Sequence, residues 1–148
     1  MAIDTSGEWW KGSEVADIEE YLASLEPGGY PVDRATPGRC ACGSAVFAVE
    51  VDRDNELART ICAGCKKIAY VADAEEHWDD AEPETIDCPD GHAQHEVALG
   101  LCVRDGEDGE WVRWMSLGLR CATCGILSSP DDWKSDLALT DPACTRIG

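Results

Sequence analysis

The chain has 148 residues, with 30 acidic and 12 basic side chains and a formal net charge of −18. No apolar run approaches the roughly 18 residues that span a bilayer, and no secretory signal is visible, so we expect a cytoplasmic protein without a membrane segment. The acidity argues against direct nucleic-acid binding, which draws its affinity from Lys and Arg on phosphates. Nine cysteines without an export signal indicate metal ligation before disulfides.

A short helix is predicted within an N-terminal arm, residues 1–38. It spans about 14–25, Ser13 can cap it, and its apolar residues recur at three- to four-residue spacing on one face. Those residues are Val15, Ile18, Leu22 and Leu25. Pro and two Gly residues then end the helix. The pattern is typical of a helix that covers one face of a small β core, and a partner-binding helix is the alternative.

Trp9 and Trp10 precede this helix. They either pack back on the domain or form an exposed anchor for a partner, because aromatic side chains dominate binding hot spots.

Two similar halves follow the arm, over residues 39–80 and 81–148. Each begins with a cysteine-containing turn, continues in an alternating apolar run, and then has a Cys-x-x-Cys pair followed by a short third strand. The predicted fold is therefore mostly β (small α+β), with two three-stranded antiparallel units in tandem after a short helix. Each unit would have its own sub-core.

The alternation also predicts which strand residues share a face. In the first half these are Phe47, Val49 and Val51. In the second half they are Val97, Leu99, Leu101 and Val103, with Trp111, Met115, Leu117 and Leu119 as their hairpin partners. Trp78 and Trp133 stand at matching places after each cysteine pair, so we expect both in the core.

The first half contains four cysteines in two short turns. They are Cys40, Cys42, Cys62 and Cys65. Zinc prefers a tetrahedron of thiolate and imidazole ligands, and a hairpin that joins two such turns supplies it. The single residue between Cys40 and Cys42 is a tighter spacing than the usual two. A structural zinc site is predicted here.

The second half has three cysteines at the matching places, Cys88, Cys121 and Cys124. Asp90 stands where the first half has Cys42, so a histidine must complete the set, because a thiolate set favours imidazole over carboxylate. We predict His92, which follows Gly91 inside the turn. The alternative is His95, which aligns with Phe47 on a strand. Each site would be closed by four protein ligands, so we predict two structural zinc ions.

Together these motifs resemble a known fold family. Cys40-x-Cys42-Gly43 with Cys62-x-x-Cys65, and Cys88-x3-His92 with Cys121-x-x-Cys124-Gly125, are similar to two zinc ribbons in tandem. The resemblance covers about residues 39–136. It implies a metal-stabilised β fold and no particular activity, because zinc ribbons serve many processes. The whole chain is also similar to uncharacterised, acidic, zinc-ribbon-containing bacterial proteins, which supplies no activity either.

Two cysteines and one acidic run lie outside these motifs. Cys102 is expected to be a small apolar residue of a strand, and Cys144 an exposed thiol in a polar tail. Asp73–Asp90 holds nine acids and no Lys or Arg. It is predicted to be a solvated linker, and a surface that meets a basic partner is the alternative.

These features predict a non-catalytic zinc-binding interaction module that presents an acidic, Trp-bearing surface to a protein partner. The charge favours a basic partner. The first alternative is a nucleic-acid mimic that regulates a basic DNA- or RNA-binding protein. The others are a nucleic-acid-binding ribbon, with Lys66, Lys67 and Arg59 as its basic patch, and a zinc-thiol redox sensor. An enzyme is not expected, because the sequence has neither a zinc-deaminase motif nor a phosphate-binding loop.

Overall fold

The computed structural model describes residues 3–107 and 109–147 and is mostly β. Its strands are β1 (Arg34–Pro37), β2 (Phe47–Asp52), β3 (Leu57–Cys62), β4 (Ile68–Tyr70), β5 (Glu84–Thr85), β6 (His95–Gly106), β7 (Gly109–Cys121) and β8 (Leu127–Lys134). One α-helix, α1, covers Ala16–Leu25, and short 3₁₀ turns cover Pro27–Gly29, Ala74–Asp80 and Pro142–Thr145. Within the described ranges, no helix has the length and apolarity needed to cross a membrane.

All eight strands belong to one antiparallel sheet. Six of them are neighbours in the order β4-β3-β2-β6-β7-β8, while β1 pairs with β6 and β5 pairs with β2. Within this order, β2-β3-β4 and β6-β7-β8 are two runs of three neighbouring strands, called the first and second unit below. They meet at one residue pair, Phe47 opposite His95.

The main buried cluster draws on both units, so the two expected sub-cores are merged into one. The faces predicted for β2 and β6 do fill it, and most of the predicted β7 face does as well. Its strand members include Phe47, Val49, Val51, Val97, Leu99, Leu101, Met115, Leu117, Leu119 and Trp133. Burial of apolar surface that is shared across the junction stabilises the two units against each other.

A β-bulge in β7 changes the face on which one tryptophan lies. Residues 102–103 of β6 lie opposite Trp114 and Val112, so Arg113 is an extra residue on β7. Because one inserted residue reverses the alternation, Val112 is fully buried in the core and Trp111 is only partly buried. The prediction that Trp111 shares the core face of β7 was wrong for this reason.

The two tryptophans that were expected to match occupy different elements. Trp133 lies on β8 in the core. Trp78 lies in the 3₁₀ turn Ala74–Asp80, partly buried, with its ring 5.4 Å from the Tyr70 ring. The predicted equivalence was wrong because β8 is longer than β4 and carries its tryptophan within the strand.

The helix α1 covers the face of β6 and β7 that is opposite the main core, as the first of its two interpretations predicted. Ile18 and Leu22 are fully buried there. Gly118 on β7 makes this close approach possible, because a Cβ on it would lie 2.4 Å from Ile18 Cγ2 and 2.9 Å from Leu22 Cδ1. Leu25, which was predicted on the buried face, is exposed.

Asp17 holds the first turn of α1. Its buried carboxylate accepts hydrogen bonds from the backbone N–H groups of Ser13 at 2.8 Å and Glu14 at 3.1 Å. The backbone N–H of Ser13 thus donates to the Asp17 carboxylate inside the helix, and the Ser13 side chain does not supply the capping oxygen that the sequence suggested.

The acidic run Asp73–Asp90 is an ordered part of the fold. It contains the 3₁₀ turn Ala74–Asp80, and its strand β5 pairs with β2. All but one of its nine acids are exposed. The run is therefore solvated as predicted, but it is anchored to the sheet and is not a free linker.

The C-terminal tail returns to the first unit. The backbone N–H of Ala72 donates to the Arg146 carbonyl at 2.8 Å, and the Thr60 hydroxyl donates to the Ile147 carbonyl at 3.2 Å. Cys144 is fully buried in the core, and burial raises the pKa of its thiol. The prediction of an exposed thiol was wrong, because long-range packing of the tail is invisible in its polar local sequence.

Candidate metal centres

The four cysteines of the first half converge at one point. The Sγ atoms of Cys40, Cys42, Cys62 and Cys65 all lie within 4.8 Å of one another. The distance from Cys40 to Cys65 is 3.5 Å, and the distance from Cys42 to Cys62 is also 3.5 Å. Four sulfurs bound to zinc at about 2.3 Å lie about 3.8 Å apart at the corners of a tetrahedron. The cluster therefore fits a tetrahedral metal ion.

The second cluster joins three cysteines and His92. The ligand atoms of Cys88, His92, Cys121 and Cys124 also lie within 4.8 Å of one another. Cys88 Sγ is 3.8 Å from Cys124 Sγ and 3.2 Å from His92 Nδ1. A sulfur and a nitrogen on the same zinc ion lie about 3.6 Å apart. These atoms are thus close to tetrahedral spacing as well.

The first turn of each cluster has the same backbone structure in both units. The Gly43 N–H donates to the Cys40 carbonyl at 2.9 Å, and the Gly91 N–H donates to the Cys88 carbonyl at 2.8 Å. Both glycines have positive φ, 96° and 88°, a region that residues with a Cβ rarely adopt. The two glycines therefore shape the turns that carry the ligands.

The second turns match each other in the same way. The Lys66 N–H donates to the Cys62 carbonyl at 3.0 Å, and the Gly125 N–H donates to the Cys121 carbonyl at 2.9 Å. Lys66 and Gly125 both have positive φ, 67° and 79°. The backbone N–H of Cys65 points at the Cys62 sulfur, which lowers the pKa of that thiol to about 6. The turn therefore favours the thiolate at Cys62, which is the form that binds metal, whereas burial raises the pKa of Cys124 on the matching turn to about 11.

His92 lies two positions further along its turn than Cys42 does in the other unit. In the repeat it corresponds to Ser44, while Asp90, at the position of Cys42, is exposed and outside the cluster. The His92 backbone N–H donates to Cys88 Sγ at 3.4 Å, so backbone and ring hold the same sulfur. A long imidazole side chain therefore reaches the site from a position where Ser44 points elsewhere.

His95, the alternative ligand, is not in the cluster. It is buried on β6, and its Nε2–H donates to the Ile86 carbonyl at 3.0 Å. Burial lowers its pKa, so the neutral ring is favoured. The structure thus brings together the eight predicted ligands and places His95 with the strand residues.

Each cluster has two buried ligands and two that are more accessible to solvent. In the first cluster Cys40 and Cys62 are buried, in the second Cys88 and Cys121 are, and the other ligands are more accessible. Within residues 3–107 and 109–147, no fifth His, Cys, Asp or Glu belongs to either cluster, and all nine cysteines are free thiols. Four donors are the number that a tetrahedral metal ion takes.

The N-terminal arm lies directly on the second cluster, a contact that the sequence analysis missed. The Gly12 N–H donates to the Gly125 carbonyl at 2.8 Å. Arg120 Nε donates to the Gly12 carbonyl at 2.7 Å, and the same guanidinium forms an ion pair with Glu96. Only the charge pair had a signal in the sequence, because Glu96 and Arg120 stand opposite each other in the β6–β7 hairpin, one residue from Cys121.

The basic patch considered for nucleic-acid binding is reduced by one member. Arg59 forms an ion pair with Glu50 at 2.6 Å, and its guanidinium lies 4.6 Å from the centre of the Trp78 ring. Lys66 and Lys67 are exposed. Because Arg59 is paired and stacked, it has little capacity left for a phosphate.

Neither a protein-family model, nor a curated protein, nor a solved structure matches the chain.

Proposed function

We propose that the protein binds two zinc ions, one in each cluster, as closed structural sites, and that it serves as a non-catalytic module for a protein partner. The observation that supports the metal assignment most directly is the convergence of two four-donor sets at tetrahedral spacing. Sets of thiolate, alone or with imidazole, select zinc over the hard cations magnesium and calcium.

The role of the metal would be to cross-link the two turns of each unit. Each three-stranded unit with its pair of turns is similar to a zinc ribbon, and the two would stand in tandem within one sheet. Structural zinc contributes on the order of 10 kcal/mol of folding free energy per site in small metal-binding domains. A chain of this size gains much from two such cross-links.

The partner proposal depends on charge and on exposed aromatic side chains. The net charge is −18, which steers a basic partner toward the protein. Trp9 and Trp10 are 48% and 37% exposed, and aromatic side chains of this kind provide much of the binding energy of protein interfaces. Each cluster offers four protein donors, which is typical of a structural site and supports a non-catalytic role.

Metal analysis tests the first part of the proposal. Protein purified without chelator should contain two zinc ions per chain by elemental mass spectrometry. The variant His92→Ala should contain one, and His77→Ala, which changes an exposed histidine outside both clusters, should contain two. Complete removal of metal should abolish the native circular dichroism. A metal-free chain that kept its native spectrum would contradict structural zinc.

Affinity purification from the native cell tests the second part. Zinc-loaded protein should retain a basic protein at low salt and release it as the ionic strength rises, because screening weakens charge steering. Retention of nothing at low salt would overturn the partner proposal while leaving the metal assignment intact.

A further inference from the structure

An open groove beside the second cluster collects most of the exposed apolar side chains. It has a volume of about 210 Å³ and is lined by Glu8, Trp9, Trp10, Tyr21, Leu25 and Leu127. In the described part of the chain, only four large apolar side chains are strongly exposed, and Trp9, Trp10 and Leu25 are three of them. Exposed apolar residues that cluster in one place mark an interaction site, whereas scattered ones need no explanation.

The walls of the groove are fixed before anything binds. The Trp10 and Tyr21 rings pack edge to face at 6.0 Å, and the Trp10 carbonyl accepts a hydrogen bond from the Leu127 N–H at 2.8 Å. Asp4 and Lys11 exchange two backbone hydrogen bonds, of 2.7 and 3.0 Å, which close the loop that carries both tryptophans. A groove that is already ordered loses little conformational entropy on binding.

The charge around the groove selects a cationic occupant. Glu8 is its only charged lining residue. Helix α1, which carries Tyr21 and Leu25, has two exposed acids, Glu19 and Glu20, and no Lys or Arg, while Lys11 lies at the end of the loop that carries the tryptophans. A cation brought to this surface gains attraction from the acids and from the face of an exposed tryptophan.

We propose that this groove binds a segment of a protein partner in which a large apolar side chain is flanked by Lys or Arg. The inference deepens the proposed function and rests on it, since it names the surface and the chemistry of the partner segment. The apolar side chain would enter between Trp10 and Leu25, and the flanking cations would face Glu8 and the acids of α1.

The groove also depends on the second cluster and not on the first. The Leu127 N–H donates a hydrogen bond to the Trp10 carbonyl, and the Gly12 N–H donates one to the carbonyl of Gly125, which directly follows the ligand Cys124. Loss of metal from this cluster would free the turn and remove both anchors of the arm. The first cluster makes no such contact with the arm in residues 3–107 and 109–147. Segment binding is therefore tied to metal at one site.

The binding test uses two short fluorescein-labelled peptides, one with a Leu between Lys residues and one with the same Leu between Glu residues. Fluorescence anisotropy with the zinc-loaded full chain should show binding of the Lys peptide alone. The changes Trp10→Ala and Leu25→Ala should each weaken binding about tenfold, as for a hot-spot residue. Ile68→Ala, which removes the fourth exposed apolar side chain, should leave it unchanged. Equal binding of both peptides, or Lys-peptide binding by Trp10→Ala and Leu25→Ala that is as tight as that of the unchanged chain, would overturn the proposal.

Zinc content measured on the same samples distinguishes a failure of the groove proposal from a failure of the metal assignment. Two zinc ions with no Lys-peptide binding would overturn the groove and leave the metal assignment standing, whereas no zinc would overturn the metal assignment itself.

Hydrogen exchange tests the dependence on the second cluster without any peptide. The Leu127 and Gly12 amides should lose protection in His92→Ala and keep it in Cys42→Ala, which opens the first cluster. Equal protection of these amides in both variants would refute that dependence.

Discussion

His92 and Ser44 follow the two glycines of positive φ that shape the first turns, so they occupy equivalent backbone positions. The turns differ in where the second donor is placed, at Cys42 in one and at His92 in the other. Since the backbone hydrogen bonds are the same, the ligand type depends on side chains alone.

The first prediction uses this equivalence. His92→Ser should reduce the zinc content by about one ion per chain, because it removes the only imidazole of the second cluster. The double change Asp90→Cys with His92→Ser copies the Cys-x-Cys-Gly-Ser turn of the first unit and should restore two ions. Elemental analysis of both variants measures their zinc content per chain. A double variant that stays at one ion would show that the two turns are not interchangeable.

Asp131 provides a pH-dependent effect at the same scale. Burial raises the pKa of its carboxyl group to about 6, and its Oδ2 has no hydrogen-bond partner among the described residues. Because the folded pKa lies above the unfolded value of 3.8, the fold favours the protonated form. This stabilisation is fully present below about pH 4 and is lost as the pH rises through 6.

Asp131→Asn should therefore stabilise the protein at pH 8, by on the order of 1–2 kcal/mol after allowance for solvent screening, and by about half as much at pH 5. Urea unfolding of the zinc-loaded protein at both pH values measures the difference. The matched control is Asp132→Asn, which weakens the acceptor of the Trp114 indole N–H at 2.7 Å and should destabilise at pH 8. A gain for Asp131→Asn that is independent of pH would contradict the shifted pKa.

At the scale of elements, the contact between α1 and the sheet depends on a missing side chain. Gly118→Ala places a methyl group 2.4 Å from Ile18 Cγ2, and overpacking of this kind costs about 1–3 kcal/mol. Gly7→Ala is the matched control, because its Cβ would meet nothing closer than the Trp9 carbonyl at 3.8 Å. Thermal unfolding should separate the two variants, and equal melting temperatures would show that α1 does not dock as described.

Periodicity predicted the strand faces well wherever a strand runs without interruption. Phe47, Val49 and Val51 point into the core as expected, because one face of β2 is buried. Trp111 broke the pattern because the bulge at Arg113 adds a residue that no local signal announces. The spacing of the cysteines, and the place of His92 in the turn beside Cys88, likewise pointed to the residues that converge, since turn chemistry is local.

Contacts between distant segments could not be predicted in that way. Gly12 bonds to Gly125 across more than a hundred residues, and neither residue carries a side chain that could indicate the pairing. Cys144 lies in a polar tail whose neighbours suggest exposure, although the fold buries it completely. Tertiary packing determines both the contact between Gly12 and Gly125 and the burial of Cys144. A sequence pattern within one segment carries no information about such packing.

At the scale of the whole molecule, the tail seals the core at the first unit. Ile147 is 2% exposed and belongs to the main buried cluster, so Ile147→Ala should cost about 2–4 kcal/mol of unfolding free energy. Ile68→Ala makes the same chemical change at a side chain that is 45% exposed and should cost about 0.5 kcal/mol or less. Chemical denaturation of both zinc-loaded variants measures the contrast, and similar losses would place the tail outside the core.

The hydrogen bond from Thr60 to Ile147 joins residues that are 87 positions apart, and this separation has a consequence for synthesis. A ribosome makes the strands of the first unit long before the segment that closes over them. Long-range contacts also form slowly, because the entropy of loop closure is lost before the contact stabilises anything. Part of the apolar surface of the nascent first unit is therefore exposed to water until the tail has been made. During that interval metal bound by the two turns of its cysteine cluster, which are close in sequence, can stabilise the unit.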